Sequence, residues 1–117
     1  MTAFRLISLP FHGALELLVG LFTMVAPFLF GFTPAGTVAA LVIGAVIVGL
    51  SLAAATDEQG SLPIGAHFAF DRGIVIGLVG AGAVTGLAGD TGAALFFALT
   101  GTALLALSLT TRYSATA

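Results

Sequence analysis

Residues 17–56 contain no Asp, Glu, Lys, Arg or His, and neither do residues 73–89 or 91–111. A helix needs about 20 apolar residues to cross the hydrocarbon core of a bilayer. Charge-free runs of this length therefore fix the fold class before any motif is considered. Charged residues make up 7% of the 117-residue chain and hydrophobic ones 59%, whereas an ordinary soluble domain is about 25% charged. A soluble monomer of this composition has too little polar surface to cover itself, and a disordered chain would be more polar. The net charge is −2 and the only Lys or Arg residues are three arginines, so no basic patch for nucleic acid can be assembled. The absence of Cys excludes disulfides and zinc–thiolate sites. The composition points to an all-α, polytopic membrane protein.

The first charge-free run is interrupted by Gly31-Phe32-Thr33-Pro34-Ala35-Gly36, a turn signal. Four transmembrane helices are predicted, at about 11–32, 35–55, 66–88 and 91–111, within one domain covering residues 1–117. Barrel strands would alternate apolar and polar residues, and Val38-Ala39-Ala40-Leu41-Val42-Ile43 does not. A single Arg5, followed by His12 and Glu16 in the first apolar stretch, does not read as a signal peptide. With four spans, Arg5, Arg72 and Arg112 fall on the side of the 56–65 connection, and the opposite side carries only Asp90. Positive charge stays inside, which places both termini in the cytoplasm of a multi-pass protein of the cell (inner or plasma) membrane. Arg5, Arg72, Arg112 and Tyr113 are expected at the lipid headgroups, Arg72 by snorkelling.

The two halves of the chain match. His12, Ala14, Glu16, Ala26 and Gly31 align with His67, Ala69, Asp71, Ala81 and Gly86, while Gly44, Leu50, Ser51 and Leu52 align with Gly101, Leu107, Ser108 and Leu109. The unit is a helix pair, about 7–56 and 62–113. A unit with an even number of spans makes the repeat parallel, related by an axis along the membrane normal. Two tandem helix pairs with a small-Pro-aromatic tripeptide late in the first helix, here Ala26-Pro27-Phe28 followed by Gly31-Phe32, resemble the SPW-repeat membrane proteins. The second copy has Ala81-Gly82-Ala83 at that place. The resemblance implies an architecture and no activity.

On a helical wheel His12, Glu16, Thr23, Pro27 and Gly31 share one face of the first helix, with Gly20 at its edge. Leu17, Leu21, Val25, Phe28 and Phe32 lie opposite, so the small and polar face is expected to meet protein and the bulky face lipid. In the third helix His67, Asp71, Leu78, Gly82, Thr85 and Gly86 share a face. Gly73-x-x-x-Gly77, Gly82-x-x-x-Gly86 and the Ala45, Gly49, Ala53 stripe of the second helix read as sites of close helix packing. That packing serves the bundle within one chain first and a dimer second.

An acid inside a membrane span is a functional hypothesis by default, because its charge costs about 2.5–3.5 kcal/mol to insert. Counted back from Phe32 and Ala88, Glu16 and Asp71 are expected close to the cytoplasmic boundary, within reach of headgroup water. Asp71 is expected in the first turn of its helix, where the helix dipole favours it. Glu16 has His12 one turn earlier as its simplest partner. Asp57-Glu58-Gln59-Gly60 reads as a solvated loop, and Asp90 as the cap of the fourth helix. No nucleophile–base pair and no phosphate-binding loop is present, so no enzymatic activity, resident cofactor or metal is expected.

Three functions compete on these residues. The first is a non-catalytic structural or accessory subunit, with the lipid bilayer, other membrane subunits or further copies of itself as partners. The second is a small proton-coupled transporter. Four helices with a Glu in the first are similar to the small multidrug resistance transporters, which implies Glu16 as the proton and cation site. The Trp and Tyr those proteins set beside the Glu have no counterpart, since Trp is absent and Tyr113 stands far along the chain. The third is a site between helices, with His12 and His67 ligating a haem or joining Glu16 and Asp71 at a metal. The protonatable cluster is His12, Glu16, His67 and Asp71 in each case.

Overall fold

The structure is a computed structural model that describes residues 7–56 and 64–111, without the side chains of residues 9, 54–56, 64, 65 and 67. It is all-helical: α1 (Leu9–Phe30), α2 (Pro34–Thr56), α3 (Ile64–Leu87) and α4 (Thr91–Thr110). All four are long and apolar enough to cross a membrane. Arg5, Arg112, Tyr113 and the Asp57-Glu58-Gln59-Gly60 segment lie outside the described residues.

Local chemistry moves the ends of α1 from the predicted 11–32. Ser8 caps the helix by accepting from the Phe11 N–H at 3.4 Å, with Pro10 in the first turn, where its missing N–H costs nothing. At the other end Gly31 is left-handed, φ 66° and ψ 48°, and its N–H donates to the Pro27 carbonyl. Glycine adopts that conformation without a Cβ penalty. The chain turns there, so Gly31 is exposed and Phe32 is buried, the reverse of the wheel reading. Phe32 packs among Phe30, Phe96 and Phe97, with ring centroids 5.8–6.5 Å apart. Gly89, at φ 90°, makes the corresponding turn between α3 and α4.

α1 packs along α2 and α3 along α4 much more closely than either pair meets the other. Glycines set both crossings at matched positions. A Cβ on Gly44 would meet Met24 Cγ and lie 2.9 Å from the Gly20 carbonyl oxygen. One on Gly101 would lie 3.3 Å from Leu78 Cβ, with Val79 Cγ2 and the Val75 carbonyl next. Gly20 faces Ile47 and Val48, Gly82 faces Ala94 and Ala98, and Gly86 approaches Ala94. Pro27 is buried with Gly20 and Gly82. Nothing lies within 4 Å of a Cβ built on Gly49, Gly73 or Gly77, and these glycines and Ala45 are exposed. The expected packing of those four within one chain is therefore corrected. Helices that are apolar on every side give no gradient to mark the inner face, and the second helix turns Gly44 inward instead of Ala45 and Gly49.

Candidate functional site

Three of the scarce ionisable residues meet in the half of the bundle where α1 begins and α4 ends. His12 and Glu16 lie one turn apart on α1, as i,i+4 spacing requires, with Nε2 and Oε2 3.3 Å apart. Asp71 comes from α3, its Oδ2 2.9 Å from the same His12 Nε2. On the other side of the ring, His12 Nδ1 is 2.7 Å from Thr111 Oγ1, just past the end of α4. A short parallel bridge supports that meeting, with the Ile7 N–H donating to the Thr110 carbonyl at 3.0 Å. α2 adds Ser51. Its hydroxyl donates to the Ile47 carbonyl at 2.7 Å, which leaves a weak 3.5 Å approach to Glu16 Oε1. Every helix pair thus contributes a group to one cluster.

Two expectations about the acids are corrected. Relative exposure is 1% for His12 and Glu16 and 3% for Asp71, so neither carboxylate opens to water within this fold. Asp71 is also not in a first turn, since α3 starts at Ile64 and has no acid there. Its partner is therefore His12 and not the helix dipole. The depth count missed this because it placed residues along an axis, whereas burial follows from the helix packed beside them. His67 lies on α3, and its side chain is outside those described.

Arg72, expected at the headgroups, makes contacts within the bundle. Its guanidinium carbon stacks 4.7 Å above the Phe68 ring and its Nε is 3.4 Å from Ser108 Oγ on α4. The sequence missed Thr111 as a site residue because it is merely the last residue of the last predicted span and has no spacing relation to His12. Ser51 and Ser108 carried a signal in their match between the two halves.

A second polar cluster closes the opposite end. Asp90 caps α4, with Oδ1 accepting from the Ala93 N–H at 3.2 Å, as expected. Its Oδ2 also accepts from the Thr33 N–H at 2.8 Å and the Thr33 hydroxyl at 2.7 Å. The Thr33 oxygen in turn accepts from the Gly36 N–H at 3.2 Å. Hydrogen bonds from Thr33, and then from Ala93, hold the Asp90 carboxyl below its usual value of 3.8 against the opposing effect of burial. A Cβ on Gly36 would fall 2.6 Å from Oδ2, so glycine is what lets the α1–α2 turn approach this carboxylate.

Chemically, the His12 cluster can share a proton or hold a metal ion. One ligand atom from each of His12, Glu16 and Asp71 lies within 4.8 Å of the others. The described residues hold no hydroxyl or thiol nucleophile beside a base in an open cleft. Compared with known proteins, the chain matches no family model, no curated protein and no solved structure.

Proposed function

We propose that this chain is an integral membrane protein of the cell membrane, with both termini cytoplasmic, that acts as a non-catalytic structural or accessory subunit. In this role it packs against other membrane helices or further copies of itself. The observation that carries this reading is the placement of its small residues. Gly49, Gly73 and Gly77 face outward with open space where a Cβ would stand. Gly73 and Gly77 lie in a shallow apolar groove of about 270 Å³ between α2 and α3, walled by Val42, Val46 and Phe70. Lipid tails are as apolar as Leu, so helices associate in a bilayer by close packing at small residues. Large apolar side chains such as Leu18, Phe28, Ile76, Leu87 and Leu99 are exposed on the described helices, as contact with lipid requires. We include in this reading a kinship with the SPW-repeat proteins, which rests on the Ala26-Pro27-Phe28 tripeptide and the repeat in the sequence alone.

Native mass spectrometry of protein extracted in mild detergent tests the reading. A stoichiometric oligomer or complex is expected, and Gly73→Leu with Gly77→Leu should convert it to monomer while helical content stays unchanged. A monomer under all gentle conditions, with no co-purifying chain, would overturn it. The burial of Glu16 beside His12 and Asp71 favours a second reading, proton-coupled transport through Glu16. Unchanged pH-driven uptake in vesicles bearing Glu16→Gln would end that reading.

A further inference from the structure

The hydrogen-bond pattern around His12 calls for a positive species at one point. Thr111 Oγ1 lies 2.6 Å from the Leu107 carbonyl oxygen, an acceptor only, so its single proton goes there. It then meets His12 Nδ1 at 2.7 Å as an acceptor, and Nδ1 carries the ring hydrogen. Nε2 is left facing Asp71 Oδ2 at 2.9 Å and Glu16 Oε2 at 3.3 Å. A bare nitrogen lone pair against two carboxylate oxygens is repulsive. Either a proton or a metal ion must lie between them.

We propose that this point is a binding site for a divalent transition-metal ion of the zinc, iron or manganese class, ligated by His12 Nε2, Glu16 and Asp71. Metal–nitrogen and metal–oxygen bonds of about 2.0–2.2 Å separate neighbouring ligands by about 2.9–3.6 Å in octahedral or tetrahedral geometry. The observed 2.9 and 3.3 Å distances fall on such edges. The outer contacts have the form that metal-bound histidines use, with the second ring N–H donating to an oxygen that is itself fixed. Thr111 is that oxygen, and Leu107 fixes it. One imidazole with two carboxylates and no thiolate suits zinc, iron or manganese better than soft Cu(I) or all-oxygen Ca²⁺. The three ligands come from α1 and α3, so one ion would join the two helix pairs where they otherwise meet sparsely. Binding exchanges the proton on Nε2 for the ion and releases that proton to solvent, with no change of oxidation state.

The test uses full-length, tag-free protein in mild detergent, stripped with a chelator and titrated with Co²⁺ and then Zn²⁺. Visible ligand-field bands should saturate at one Co²⁺ per chain and disappear as Zn²⁺ replaces it. Thr111→Val should keep the bands and weaken binding by roughly 10–100-fold. Asp71→Asn should abolish them in protein whose circular dichroism and elution volume match the wild type. The wild-type titration decides the matter even where the variants do not fold. A folded, stripped wild-type chain without saturable bands and without stoichiometric zinc overturns the proposal. So does undiminished binding in folded protein that carries both Glu16→Gln and Asp71→Asn.

Discussion

Asp90 shows how much one side chain does when charges are scarce. Its two oxygens accept from two donors on Thr33 and from the Ala93 N–H, so it caps α4 and holds the α1–α2 turn at once. Asp90→Ala removes a cap, which costs about 0.5–2 kcal/mol, and also strands the Thr33 donors. Its loss should sit at the upper end of that range in denaturant titrations of the micellar protein. The pH dependence has a definite sign. A carboxyl held below its usual value contributes stability above its unfolded pKa, and that contribution is lost as pH falls through its folded value. Wild type and Asp90→Asn should therefore differ in stability at neutral pH and converge as the pH drops below about 3.8. A constant gap down to strong acid would contradict the role assigned to the ionised form. The cap itself was legible in the sequence, because an acid directly before an apolar helix has few other uses. The reach to Thr33 was not, since it depends on two turns meeting in space. The His12 cluster divides the same way. Its i,i+4 contact with Glu16 follows from helical spacing and the match between the two halves put Asp71 in the same cluster, whereas Thr111 joins only when α4 is packed against α1.

At the scale of the helix, identical residues have opposite consequences. Gly44→Ala would put a Cβ 2.9 Å from the Gly20 carbonyl oxygen. That backbone atom cannot swing aside, so α1 and α2 must separate, at about 1–3 kcal/mol for overpacking. Gly49→Ala adds a methyl to open space, and replacing an interior helical glycine gains up to about 1 kcal/mol in propensity. Unfolding titrations of the monomeric form should rank Gly49→Ala at or above wild type and Gly44→Ala clearly below it. The reverse order would mean that α2 is rotated from the orientation described. This contrast also marks what the sequence could reveal about elements. Charge-free runs place four helices within about two residues of their observed ends, because an apolar span must be helical to satisfy its backbone. They do not say which side of α2 faces inward, because that helix is apolar all round. The assignment of Ala45 and Gly49 to the packed face fails for that reason. The wheel succeeds on α1, where His12, Glu16, Thr23 and Pro27 mark a buried face.

Across the whole molecule, two tight helix pairs are joined by polar groups at both ends of the bundle. One clasp is His12 with Asp71 and Thr111, and the other is Asp90 with Thr33. In a bilayer the apolar surfaces of the pairs gain little by meeting each other in place of lipid. Fastening therefore falls to packing and to interhelical hydrogen bonds, each worth about 0.6–2 kcal/mol. Glu16 and Thr33 are separated by nearly the length of α1, about 25 Å at 1.5 Å per residue. Sites so far apart that share no partner have additive effects within about 0.3–0.5 kcal/mol. Asp71→Asn and Asp90→Asn should each weaken the bundle, and the double variant should lose the sum of the two. Unfolding free energies of the four proteins of this cycle, measured in one mixed micelle composition, check the prediction. A double-variant loss well beyond the sum would mean that either clasp alone holds the pairs together, so that each single variant is masked by the remaining clasp. A loss well short of it would mean that opening one end already frees the other, with the two pairs hinged as rigid bodies. Additivity instead requires each pair to be held by its own packing, as the glycine crossings at Gly44 and Gly101 imply, and the clasps to set only how one pair is docked on the other.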